Sequence, residues 1–184
     1  MTALAGFSHR RAAEADIPAL RALMEAAIGE LQRGFLTAEQ IAASRIVMGL
    51  DTQLIADGTY FAVEAGAQLV GCGGWSRRRA VFGGDRERAG EDAALDPARD
   101  PARVRAFFVH PDWARRGIGS MILEACETAA KSEGFTRFEM GSTLTGVPLY
   151  RARGYAELER VEVSLPGGIL FPIVHMAKNL REHE

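Results

Sequence analysis

Between a run that reads as a strand, residues 103–109, and a run that reads as a helix, residues 117–131, stands the turn Arg115-Arg116-Gly117-Ile118-Gly119-Ser120. That order restricts the fold, because the helix face of Ile118, Met121, Ile122, Ala125, Cys126, Ala129 and Ala130 must be laid on a sheet. It also leaves the first amides of the helix without intrahelical acceptors, at the positive end of the helix dipole, where phosphate is accepted. Glycine at 117 and 119 lets phosphate oxygens approach the backbone with no Cβ in the way. Each charge at an exposed helix start gains only about 0.3 to 1 kcal/mol, so a pyrophosphate needs several amides together, with Arg115 and Arg116 adding charge. A glycine pair alone is a weak signal. The third glycine of the dinucleotide fingerprint falls on Ile122, and the G-x-x-x-x-G-K phosphate loop is absent.

The rest of the chain supplies the sheet. Residues 59–64 and 68–76 are rich in aromatic and β-branched residues around Ala65-Gly66-Ala67, which predicts a hairpin. Gly71, Gly73 and Gly74 in its second strand point to a bulge or a ligand wall, the bulge being preferred. Residues 8–12, 135–140, 156–165 and 170–177 read as further strands, the last two joined through Pro166-Gly167-Gly168. Residues 14–31 carry apolar residues at helical spacing, with Asp16 placed to cap and Pro18 in the first turn. Thr37 and Gln40 form a capping-box pattern before a second helix. Residues 147–153 form a short helix ahead of Gly154. Residues 77–102 are rich in Arg, Asp, Gly and Pro without periodicity, predicting a long exposed loop within one domain spanning 1–184.

Composition narrows the partners. Lys plus Arg number 22 and Asp plus Glu 24, a formal charge of -2, so no global basic field draws the chain to nucleic acid. The run Arg77-Arg78-Arg79 is read as a solvated cluster. No segment has the length and apolarity of a membrane span or a signal peptide. The two cysteines, Cys72 and Cys126, suggest neither a disulfide framework nor a thiolate metal site and suit a reducing cytoplasm. No His, Cys, Asp and Glu grouping has metal-ligand spacing, so no metal is expected.

Three ordered blocks then carry a resemblance: Arg105-Ala106-Phe107-Phe108-Val109-His110-Pro111, Ala114-Arg115-Arg116-Gly117-Ile118-Gly119 and Leu149-Tyr150-Arg151-Ala152-Arg153-Gly154-Tyr155. Together they resemble the GNAT superfamily of acyl-CoA N-acyltransferases. The resemblance implies an α/β (α+β) fold with a mixed, V-splayed sheet of about seven strands flanked by about four helices. It implies acetyl-CoA as acyl donor, with the pyrophosphate on Arg115, Arg116, Gly117, Ile118, Gly119 and Ser120. The pantetheine arm would run along the backbone of Phe107, Phe108 and Val109. The family signature Q/R-x-x-G-x-G/A begins here with Ala114, a departure that removes side-chain support while leaving the backbone amides. Tyr150 matches the family tyrosine that protonates the departing thiolate, a step worth about 10²- to 10⁴-fold.

The same resemblance leaves the general base open. Arg103 occupies the strand position where histone-acetylating relatives carry glutamate; Glu139 and His110 have suitable chemistry, and a chain of waters is the third choice. The acceptor, a small-molecule or peptide amine, is expected opposite the cofactor, between the first two helices, the loop after Trp75 and the turn 165–168. Phe35, Tyr60, Trp75 and Arg77 are candidates to line that pocket. The expected activity is direct N-acetyl transfer in a ternary complex, and a homodimer is left open. A non-catalytic acyl-CoA-binding or sensing module is the alternative: it would keep Gly117 and Gly119 without needing Tyr150 as acid.

Overall fold

The hairpin read from residues 59–76 forms as β2 (Tyr60–Ala65) and β3 (Gln68–Ser76), paired antiparallel across a turn with Gly66 at φ 60°. The computed structural model describes residues 6–79 and 93–180. Within them β1 (Ser8–Arg11) adds to β2, and β3 pairs antiparallel with β4 (Ala102–Val109). Further along lie β5 (Arg137–Ser142), β6 (Ala156–Leu165) and β7 (Ile169–Asn179), giving a seven-stranded sheet in the order β1-β2-β3-β4-β5-β7-β6. Only β4 and β5 run parallel, and they pair through just Ala102 with Phe138 and Arg103 with Glu139. Beyond that point the two strands diverge and the sheet opens as a V.

Among the described residues five α-helices cover the sheet: α1 (Ile17–Leu31), α2 (Ala38–Ser44), α3 (Thr52–Ala56), α4 (Ile118–Ser132) and α5 (Val147–Ala152). On one face, α4 presses Ile118, Ile122 and Cys126 onto Val63, Val70, Val104 and Phe138. On the other, α1 and α3 pack Leu20, Ile28 and Leu54 against Tyr60, Ala62, Cys72 and Phe108. A third apolar cluster seats Val47 and Met48, beyond α2, on Phe171 and Ile173 of β7.

The glycines of β3 explain how α4 comes so close. A Cβ on Gly71 would lie 2.4 Å from Ile118, and one on Gly73 would lie 2.6 Å from Phe107. A bulge is present as well, between Cys72 and Gly74, where Ala106 and Phe107 of β4 stand opposite Gly73 alone and Ala106 takes φ 54°.

Several sequence expectations change on folding. Asp16 does not cap α1: its carboxylate accepts the Ala13 amide at 2.8 Å and both Arg10 guanidinium nitrogens at 2.7 and 2.8 Å, which closes a 3₁₀ turn before the helix. The Thr37–Gln40 capping box forms, but α2 ends at Ser44, and the short α3 had no counterpart in the sequence reading. The connection 77–102 is not wholly exposed. Leu95 is buried, its amide donates to the Arg77 carbonyl at 2.7 Å, and Arg79 donates to Ala93 at 3.1 Å. Residues 80–92 lie outside the described residues.

Candidate functional site

Divergence of β4 from β5 leaves the backbone of residues 104–109 without a strand partner on one side, and a cavity of about 680 Å³ opens against that edge. Phe107, Phe108 and Val109 line it, together with Arg115, Gly117, Ile118, Gly119, Ser120 and Tyr150. The two Phe side chains point apart: Phe108 is buried against the α1 face, while Phe107 packs on the α4 face. Backbone on the open strand edge and side chains in the core are compatible at Phe107 and Phe108, as the alternation of a strand permits.

Two left-handed residues shape the turn before α4. Arg115 has φ 64° and Gly117 has φ 84°, and the latter ends directly in the helix. The helical ladder begins with the Met121 amide donating to the Gly117 carbonyl at 3.0 Å, so the amides of Ile118, Gly119 and Ser120 have no helical acceptor. They stand at the positive end of a fifteen-residue helix, on the cavity wall. The missing side chain of Gly119 answers to packing: a Cβ there would lie 2.8 Å from Leu149 of α5. Arg116 is not brought to the cavity. Its guanidinium lies 4.8 Å from the Trp113 ring and donates to the Asp112 carbonyl at 3.2 Å. A cation the sequence reading missed stands near instead: Arg153 Nε donates to Ser120 Oγ at 3.0 Å.

Tyr150 is buried, with its ring edge-to-face with Phe107 at 6.0 Å and with Tyr155 at 5.9 Å. Its hydroxyl has no hydrogen-bond partner among the described residues. Burial raises its pKa above the ordinary tyrosine value, so the phenol stays protonated at neutral pH. Neighbouring Tyr155 is committed elsewhere, donating to Glu127 at 3.0 Å. Gly146 makes room for the Tyr150 ring, since a Cβ there would lie 2.9 Å from Tyr150 Cε2 and 2.8 Å from Ser142 Oγ.

Neither candidate base reaches the cavity. Glu139 pairs with Arg103 on the far side of the β4–β5 junction, beside a small separate pocket with His175. His110 accepts the Asp112 amide through Nδ1 at 3.3 Å and does not line the cavity. Among the described residues no Asp, Glu or His lines it at all. The two thiols are buried, and burial pushes Cys72 up to about 12 and Cys126 above its usual range, so both stay protonated.

Of the residues expected around the acceptor, only Phe35 lines the cavity. Tyr60 and Trp75 are core, Tyr60 donating to the Ala106 carbonyl at 2.8 Å. Arg77 donates to Glu133 at 2.7 Å and to the Asp57 carbonyl at 2.9 Å. The turn 165–168 is replaced on the wall by Val163, Phe171 and Ile173. Arg105, which the sequence reading did not single out, lines the cavity and lies 2.9 Å from Asp51 in a buried ion pair. Among the described residues no group of His, Cys, Asp and Glu could hold a metal ion, and no helix is long and apolar enough to cross a membrane.

Known proteins share this architecture. A GCN5-related N-acetyltransferase from Rhodopseudomonas palustris superposes with a TM-score of 0.70 at 19% identity, covering 98% of this chain and 99% of that one. The PaiA N-acetyltransferase of Thermoplasma acidophilum, in complex with coenzyme A, gives 0.63 at 12% identity, with 94% and 98% covered. YncA of Salmonella typhimurium, with its cofactor acetyl-CoA, gives 0.65 at 17% identity, with 97% and 96% covered. No curated protein matches the chain in sequence. The family model "Acetyltransferase (GNAT) domain" matches residues 56–157, a stretch that holds the splayed strands, the glycine turn and Tyr150. By that match, over more than half of its length, the chain belongs to the GNAT acetyltransferase family.

Proposed function

We propose that this chain, as one domain, transfers an acetyl group from acetyl-CoA to a primary amine by direct transfer in a ternary complex, in a reducing cytoplasm. One observation carries the reading: a single cavity collects the open edge of β4, the start of α4 with its free amides, and Tyr150. The PaiA and YncA structures hold coenzyme A and acetyl-CoA on the same fold, which supports the choice of donor.

The residues suit such a cofactor. The amides of Ile118, Gly119 and Ser120 would receive the pyrophosphate, with the Arg115 and Arg153 guanidinium groups nearby. The unpaired edge at Phe107, Phe108 and Val109 would take the amide-bearing arm as a strand takes a neighbour. When bound, acetyl-CoA supplies an activated thioester, whose C–S bond breaks as the amine nitrogen bonds to the acetyl carbon. Tyr150 gives its hydroxyl proton to the departing sulfur and takes one back from water afterwards. Among the described residues no side-chain base lines the cavity; in this reading the amine arrives neutral and its surplus proton passes to water.

Titration calorimetry with acetyl-CoA, paired with thiol release in the presence of an amine, tests this reading. Gly117→Glu sets a carboxylate and an unfavourable left-handed residue at the proposed pyrophosphate site, and is expected to weaken acetyl-CoA binding by about tenfold or more. Unchanged affinity in the folded variant would move the cofactor elsewhere. Cofactor binding with no thiol release for any amine would favour a sensing module.

A further inference from the structure

The two ends of the cavity differ in chemistry. One carries the glycine turn and the β4 edge. The other, between the end of α1, the segment after α2 and the inner faces of β6 and β7, is lined by Ile28, Leu31, Phe35, Val47, Phe171 and Ile173. Phe171 and Ile173 belong to the apolar cluster that seats Val47 on the β6–β7 pair, so this wall is continuous with core packing. Phe35 is 51% exposed, a large aromatic ring standing in solvent at the edge of the same cavity.

Charge decides what can enter. Among the described residues no carboxylate lines the cavity, and the charged groups there, Arg105 and Arg115, are cations. Arg105 is matched by Asp51 at 2.9 Å, but Asp51 lies behind it and is not on the wall. An ammonium group brought to this end would lose its water and find no counter-charge. Hydrogen-bonding capacity is scarce too. Thr145 Oγ1 donates to Gln32 Oε1 at 2.8 Å, and Ser142 Oγ donates to the Thr143 carbonyl at 2.8 Å, so both hydroxyl protons are already used. A peptide laid along this wall would bring backbone N–H and C=O groups with few partners to meet. An apolar body gains here, by about fourfold in affinity for each buried methylene.

We infer, resting on the acetyl-transfer reading above, that the acceptor is a small amine on an aromatic or branched-aliphatic body, bound unprotonated, and that polyamines and aminoglycosides are excluded. The nitrogen points from the apolar end toward the Tyr150 end, while the body lies among Ile28, Val47, Phe171 and Ile173.

Thiol release from acetyl-CoA tests this with four acceptors: phenethylamine, isoamylamine, spermidine and a hexapeptide beginning with alanine. The expected kcat/KM for the first two exceeds that for spermidine and the peptide by about 10²-fold. Phe35→Asp and Val47→Asp each place a carboxylate at the acceptor end and are expected to narrow the phenethylamine-to-spermidine ratio by about tenfold. Melting curves accompany both, and Phe35→Asp, at an exposed position, carries the test if Val47→Asp does not fold. Spermidine or the peptide as the best acceptor overturns the inference, as does a ratio unmoved in the folded variants. So does a lack of thiol release with the apolar amines when calorimetry shows acetyl-CoA bound, which leaves the donor reading standing. Failure of the wild-type protein to bind acetyl-CoA sinks both.

Discussion

Tyr150 has a polar tip in a largely apolar setting, and its environment decides how that tip behaves. Held edge-to-face between Phe107 and Tyr155 and seated over Gly146, the ring is fixed at one position, while burial keeps the hydroxyl protonated. Tyr150→Phe retains the ring and its contacts and removes only the donor. We expect kcat to fall by about 10²-fold or more with acetyl-CoA affinity and melting temperature unchanged. Steady-state kinetics and calorimetry on the same preparation check this, and an intact kcat would leave Tyr150 a packing residue. Tyr150 could be picked out in sequence because it sits four residues before Gly154 in a recognisable block. Tyr60 and Trp75 misled for the opposite reason: an aromatic residue on a strand looks the same whether its face meets a cavity or the core, and both meet the core. Adjacent arginines are equivalent on paper, whereas in the fold Trp113 draws the Arg116 side chain aside.

At the scale of elements, the sequence carried most of the strands and long helices, because each has a periodic apolar face of its own. It did not carry α3, whose five residues are too few for a period, nor the pairing of α3 with β4. That pairing is made by Asp51, which caps α3 by accepting the Gln53 amide at 3.2 Å and also meets Arg105 across a separation that no local pattern reveals. Both side chains are almost wholly buried, at 1% and 8% exposed. Removing Asp51 takes the carboxylate from a buried guanidinium, so Asp51→Ala is expected to destabilise the fold by about 3 to 5 kcal/mol, read from chemical denaturation. The double variant Asp51→Ala, Arg105→Met should recover much of that loss, because the buried guanidinium goes with its counter-charge. Equal instability in the single and double variants would mean that the α3 cap, rather than the pair, holds the junction. The splay itself was foreseen only through resemblance. Nothing local in 102–109 or 137–142 says that pairing stops after two residues.

Across the whole molecule, the 24 acidic residues are distributed so that none of those described reaches the cavity, where Arg105, Arg115 and Tyr150 are the titratable groups. Burial holds the Tyr150 phenol protonated well beyond neutral pH. The proton balance of the reaction is then set by the acceptor. We expect log kcat/KM to rise with pH at a slope of about one and to level off at the pKa of the amine used, since only its neutral form attacks. Two acceptors of different basicity check this. The break should move with the amine, and a break fixed at about pH 6.5 for both would point to a histidine. The open edge of β4 and the bare amides of the turn are main-chain groups, identical in every residue type that can adopt the local φ and ψ. A site made chiefly of such groups can keep its shape while nearly every letter around it is rewritten. Lineages that share this V are therefore free to drift far apart in sequence, and the burden of telling one amine from another falls on the few side chains at the opposite end.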